Sequence, residues 1–113
     1  MSEKQQIYRD MLRNILPWLR NVQTWTWWAR LRDRSAQWDS ELVHNLPVSI
    51  LEPEFTEHDV WFLNVQARRY YEECSSRLSP NYDSNVAGIR RLCQLVPTDL
   101  RARMEWGGPD GAS

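Results

Sequence analysis

Residues 24–46, TWTWWARLRDRSAQWDSELVHNL, hold four of the chain's seven tryptophans and three of its thirteen arginines. Tryptophan beside arginine suits a stacking platform for bases, an anchor for a partner protein, or a crowded core. Spacing decides among them. At about 100° per residue, Trp27, Trp28, Leu31, Ser35, Trp38, Leu42 and Leu46 fall on one side. Arg30, Arg34, Gln37 and Glu41 fall on the other. That is an amphipathic helix with a wide apolar stripe. It is predicted to run from about Thr24 to Asn45, where Leu46 and Pro47 end it, because the residue before a proline avoids helical angles. Trp25 alone is left off the stripe, beside Arg32.

The same periodicity recurs on both sides of this segment. A first helix is expected from about Ser2 to Asn21, with Ile7, Tyr8, Met11, Leu12, Ile15, Leu16, Leu19 and Val22 in one stripe. Pro17 removes a hydrogen bond and should kink the helix or restart it at Leu16. A third helix should begin at Thr56, with Glu57 and Asp59 at its positive end and Phe55 stapled to Val60. It should reach about Leu78, with Val60, Leu63, Ala67, Tyr70, Tyr71, Cys74 and Leu78 on one face. Trp61, Phe62 and Val65 project from the other side of its first two turns, so a second surface there needs a cover. A fourth helix should run from Ser84 to Leu95, and Thr98 should cap a short last one.

Glycine is nearly absent ahead of the C-terminus and β-branched runs are few, so the fold class is all-α. The expectation is a small bundle of four main helices plus a short C-terminal helix, with an extended, proline-bracketed connection over 47–55. A chain of 113 residues is one domain, taken as 1–106, with 107–113 a disordered tail.

Charge and motif content narrow the chemistry. The 14 basic and 15 acidic residues leave a net charge of −1, which gives no overall field for nucleic acid or an anionic membrane. The first fifteen residues lack the apolar core of a cleaved leader, and no apolar run approaches the roughly 20 residues of a membrane span. Together with two cysteines outside any ligand spacing, Cys74 and Cys93, this predicts a cytoplasmic protein with reduced thiols. No cofactor and no metal are expected. The dipeptide His58–Asp59 resembles that of metal-dependent phosphohydrolases, but neighbouring side chains on a helix diverge and the chain has one other histidine, His44. The stretch QIYRDMLRNI similarly resembles, at Tyr8 and Arg9, the first-helix signature of the LYR assembly factors, with Ile7 in place of its leading Leu. It covers about ten of the 113 residues, and no function is carried over from it.

With no glycine-rich elbow, phosphate loop or converging acid–base pair, the chain reads as a non-enzymatic protein-binding module. A regulator, adaptor, inhibitor or immunity-type protein fits that description. The partner is another protein, with a homodimer as one form of this. Off-stripe aromatics and arginines of the kind that dominate interfaces mark the surface: Trp25, Arg32, Trp61, Phe62, Val65 and Arg68. The alternative is a nucleic-acid accessory protein using Arg30, Arg34, Arg69, Arg90 and Arg91. It is disfavoured because acids at helical spacing neutralise most of these.

Overall fold

The computed structural model describes residues 1–111, apart from the side chains of Arg30, Leu31 and Arg32. Every regular element among them is helical: α1 (Glu3–Gln23), α2 (Trp27–Arg32), α3 (Arg34–His44), α4 (Leu46–Leu51), α5 (Glu57–Trp61), a π segment (Phe62–Ala67), α6 (Arg68–Glu73), α7 (Tyr82–Leu95) and α8 (Thr98–Arg101). The chain is therefore a small all-α domain.

The first helix starts where its chemistry says it should. Ser2 accepts from the Gln5 N–H, and Gln5 returns a bond to the Ser2 N–H at 2.9 Å, a reciprocal cap. Tyr8, Met11, Ile15 and Val22 are buried at helical spacing. The helix passes through Pro17 without a restart at Leu16. Pro17 is exposed, so the Arg13 carbonyl that it strands can be hydrated, and the packed residues on either side hold the turn. Gly88 lets α7 approach α1 closely: a Cβ there would sit 3.0 Å from Met11 Sδ. The core gathers Tyr8, Met11 and Ile15 of α1, Leu42 and Leu46, Phe62, Leu63 and Tyr70, and Val86, Ile89 and Leu92 of α7.

Several expected boundaries are corrected. The long second helix is two helices: Thr26 caps α2, and Asp33 ends α2 and caps α3 by accepting from the Ser35 and Ala36 N–H groups. A cap residue with extended backbone angles breaks the helical phase, so the positions before Asp33 no longer share a face with those after it. Ser35, Trp38, Leu42 and Leu46 keep their inward or half-buried places, whereas Trp27 and Trp28 are exposed. The segment 47–55 is not extended throughout. Leu46–Leu51 is a helical turn and a half with Pro47 in its first turn, where a missing N–H costs nothing, and the chain becomes extended only from Glu52.

The third helix differs most. Its middle, Phe62–Ala67, is π-helical, and it ends at Glu73, with Cys74 already extended. Within the π segment Phe62 and Leu63 are both in the core, so the buried face here is not the one expected from sequence. The C-terminal segment covers the Asn64 side, while Trp61 and Val65 stay exposed. Asn64 donates to the Arg103 carbonyl at 3.0 Å and accepts from the Glu105 and Trp106 N–H groups, pinning that segment beside the π turn. The fourth helix starts at Tyr82 rather than Ser84, and its expected inward set, Val86, Ile89, Leu92, Cys93 and Val96, is buried. The last helix stops at Arg101, yet Trp106 is buried against Tyr71. Gly107–Gly111, expected as a free tail, turn back toward α7, where Arg90 and Asp110 pair at 2.8 Å.

Candidate partner-binding surface

The corrected helix phase moves the functional question to α2. The Thr24 and Trp25 N–H groups bond back to Asn21 and Val22, which closes α1. Trp25 lies half-buried, edge-on to Trp18 with ring centroids 5.3 Å apart. Thr26 then caps a six-residue helix whose first two residues are Trp27 and Trp28. They expose 58 % and 65 % of their surface and meet edge to face at 4.6 Å. Large apolar rings in water are unfavourable for folding and are what interfaces use as anchors.

Beside this pair a groove of about 520 Å³ is lined by Trp25, Ala29, Asp33, Arg34, Arg77 and Leu78. Its far wall comes from the turn that follows α6, closed by bonds from the Leu78 and Ser79 N–H groups to the Ser75 carbonyl. Ser79 Oγ in turn donates to buried Asp39 at 2.8 Å, which ties that wall to α3. Sequence reasoning missed Trp27, Trp28, Arg77 and Leu78. The signal that finds the two tryptophans is the pair of cap residues, Thr26 and Asp33, which cuts the helix.

Of the surface residues expected from sequence, Trp61, Val65 and Arg68 form an exposed row on the α5–α6 side. His58 lies tilted against Trp61 at 5.6 Å, and Arg68 pairs with Glu72 at 3.0 Å. Phe62 is not in this row: it is fully buried and packs edge-on against Tyr8. Trp25 belongs to the α2 groove instead, and the side chain of Arg32 lies outside the described residues, as does that of Arg30. The remaining arginines of the nucleic-acid alternative are mostly paired. Arg69 contacts Glu41 and Glu73 and lies 4.8 Å over Trp38, Arg90 pairs with Asp110, and Arg91 grips both oxygens of Glu3. That last contact holds the Glu3 carboxyl below its ordinary value.

Two buried carboxylates are the other concentration of polar chemistry. Asp59 accepts from Lys4 Nζ at 2.7 Å, Tyr8 OH at 2.9 Å and the Thr56 N–H at 2.8 Å. Asp39 accepts from Tyr70 OH and Ser79 Oγ, and Tyr70 OH accepts from Asn85. Burial pushes the Asp39 carboxyl up, against the pull of these two donors, and pushes both tyrosine hydroxyls up as well. Neither carboxylate lines the α2 groove. Cys93 does border a smaller recess, of about 300 Å³, with Arg90, Gln94 and Arg101. Burial raises its thiol to about 11, opposed by Arg101, so little thiolate forms at neutral pH. Among the described residues no group of three or more His, Cys, Asp or Glu is placed to hold a metal ion.

Among the described residues, no helix is long and apolar enough to cross a membrane. Comparison with protein-family models, with curated proteins and with solved structures finds no match.

Proposed function

We propose that this chain is a non-enzymatic protein-binding module: a small regulator, adaptor, inhibitor or immunity-type protein that docks through the α2 surface. The observation that carries this reading is the Trp27–Trp28 pair, more than half exposed on a short helix fixed by caps at both ends. Both rings stand outside the buried core, and large exposed rings of this kind make sense as contact area for another surface. Interfaces draw most of their energy from a few tryptophans and arginines in such positions. The row Trp61, Val65 and Arg68 is a secondary contact in this reading. The buried free thiols, Cys74 and Cys93, support a reducing compartment, and we place the protein in the cytoplasm. The nucleic-acid alternative is less well supported, because Arg69, Arg90 and Arg91 already hold acidic partners.

The test compares the wild-type chain with Trp27→Ala/Trp28→Ala and with Trp61→Ala/Val65→Ala. Partners are captured from the native cell by crosslinking, and sedimentation measures self-association. The α2 variant should lose the captured partner, or the dimer if the partner is a second copy, while keeping its helical signal. Capture and assembly identical to wild type in that variant would overturn the reading.

A further inference from the structure

The groove beside the tryptophan pair brings two arginines to one place. Arg34 and Arg77 both line it, and neither makes an ion pair among the described residues. The groove's one acid, Asp33, is already engaged. Its Oδ1 accepts from Ser35 Oγ and from the Ser35 and Ala36 N–H groups, so its charge faces the positive end of α3. Asp33 keeps its charge but is held at the α3 end, so the described lining carries two guanidinium groups against one carboxylate, a net positive charge beside an apolar floor of Trp25, Ala29 and Leu78. A volume of about 520 Å³ lies within the roughly 300–1,000 Å³ of clefts that take small ligands or a few side chains.

We infer that this groove receives a short acidic segment of the partner protein, carboxylates on Arg34 and Arg77 and an apolar side chain against Trp25 and Leu78. Guanidinium groups match carboxylates in planar, two-pronged geometry, which favours an Asp or Glu side chain. Single-stranded nucleic acid fits less well. It needs a track of cations along a backbone and open ring faces for the bases, whereas the described lining offers two cations and Trp25 is half-buried against Trp18. The inference rests on the protein-binding reading above and specifies the chemistry of that partner.

The experiment is selection of a random peptide-display library on the full-length chain. Selected peptides are then measured against wild type, Arg34→Glu/Arg77→Glu, Arg34→Gln/Arg77→Gln and Trp27→Ala/Trp28→Ala. The expected peptides place Asp or Glu within a few residues of Leu, Phe or Trp. Their affinity should fall about tenfold or more in both arginine variants and fall with added salt, as exposed ion pairs do. The glutamine variant removes charge without repulsion, so it stays informative if charge reversal disturbs the fold. Neutral or basic selected peptides, acidic peptides that bind the arginine variants as well as wild type, or displacement by a single-stranded oligonucleotide at lower concentration would overturn the inference. Peptides that depend on Trp27 and Trp28 but not on the arginines overturn it while leaving the protein-binding reading intact. A selection with no enriched peptides counts against both.

Discussion

Lys4 Nζ and Asp59 Oδ2 meet at 2.7 Å with side-chain exposures of 2 % and 0 %, joining the first turn of α1 to the start of α5. The ammonium, on the chain's only lysine, also donates to the Glu54 carbonyl and lies 5.7 Å from the centre of the Phe55 ring. Asp59 accepts from Lys4, from Tyr8 and from both the backbone N–H and the hydroxyl of Thr56. A buried pair is favourable only with such complete bonding, and losing one partner strands the other charge. Lys4→Met should therefore cost about 3–5 kcal/mol in urea unfolding. Adding Asp59→Asn, which removes the stranded charge, keeps an oxygen for the Thr56 N–H and lets the amide donate to the Tyr8 hydroxyl, should recover part of that loss. A cost under about 1 kcal/mol for Lys4→Met would place the pair in the range of exposed ion pairs and remove its role as a joint.

Asp39, which has no ion-pair partner among the described residues, predicts a dependence on pH. Burial raises its native carboxyl above the ordinary value of 3.8, with the Ser79 and Tyr70 hydroxyls pulling it back. A raised native pKa means the folded state holds the proton more tightly than the unfolded chain. The contribution of this group is therefore full below the unfolded value and is lost as pH rises through the native one. Asp39→Asn lacks that dependence. The stability difference between the two proteins, followed from about pH 4 to pH 7, should shift steadily in favour of the variant. A constant difference would mean that the hydroxyls offset burial completely.

The π segment yields a contrast between sequence neighbours. Phe62 is fully buried against Tyr8, whereas Trp61 is 42 % exposed. Phe62→Ala should cost about 3–5 kcal/mol, and Trp61→Ala less than about 1 kcal/mol, by chemical denaturation. Equal costs would mean that the two rings share the core, as an ordinary α-helix with a different phase would allow.

How much of this was readable in advance follows from one assumption, a constant helical step. Where the helix is regular the step works: the stripes of α1 and α7 are the buried faces, and Ser2 and Thr56 mark real starts, whereas Pro17 lies inside α1 and α6 stops well before Pro80. Where the step changes, the reading fails in a definite direction. The break at Asp33 turned two exposed tryptophans into expected core, and the π turns made a core phenylalanine look like surface. Asp33 was legible as a cap, since a short carboxylate ahead of Ser35 and Ala36 can reach their free N–H groups. The π turns follow from tertiary packing, with Asn64 holding the C-terminal segment, and no local pattern announces them. Nor does periodicity reveal that Lys4 points inward, because its partner is 55 residues away.

Gly108 offers a case where two causes can be separated. Its φ is +88°, a conformation that side chains resist, and a Cβ there would lie 2.9 Å from Cys93 Sγ. Gly108→Ala should cost about 1–3 kcal/mol and displace the 107–111 segment from over the thiol. Cys93, held near 11 by burial, should then react faster with a thiol reagent at mildly alkaline pH than it does in the wild type. The variant Gly108→Ala/Cys93→Ala removes the clash with sulfur and leaves the backbone strain and the contact with the Cβ of residue 93, 3.0 Å away. Recovery of most of the stability in the double variant would make the sulfur contact the dominant constraint, and recovery of almost none would place it in φ and that Cβ contact. A Gly108→Ala protein as stable as wild type, with Cys93 equally slow to react, would show that the segment does not cover the thiol in solution.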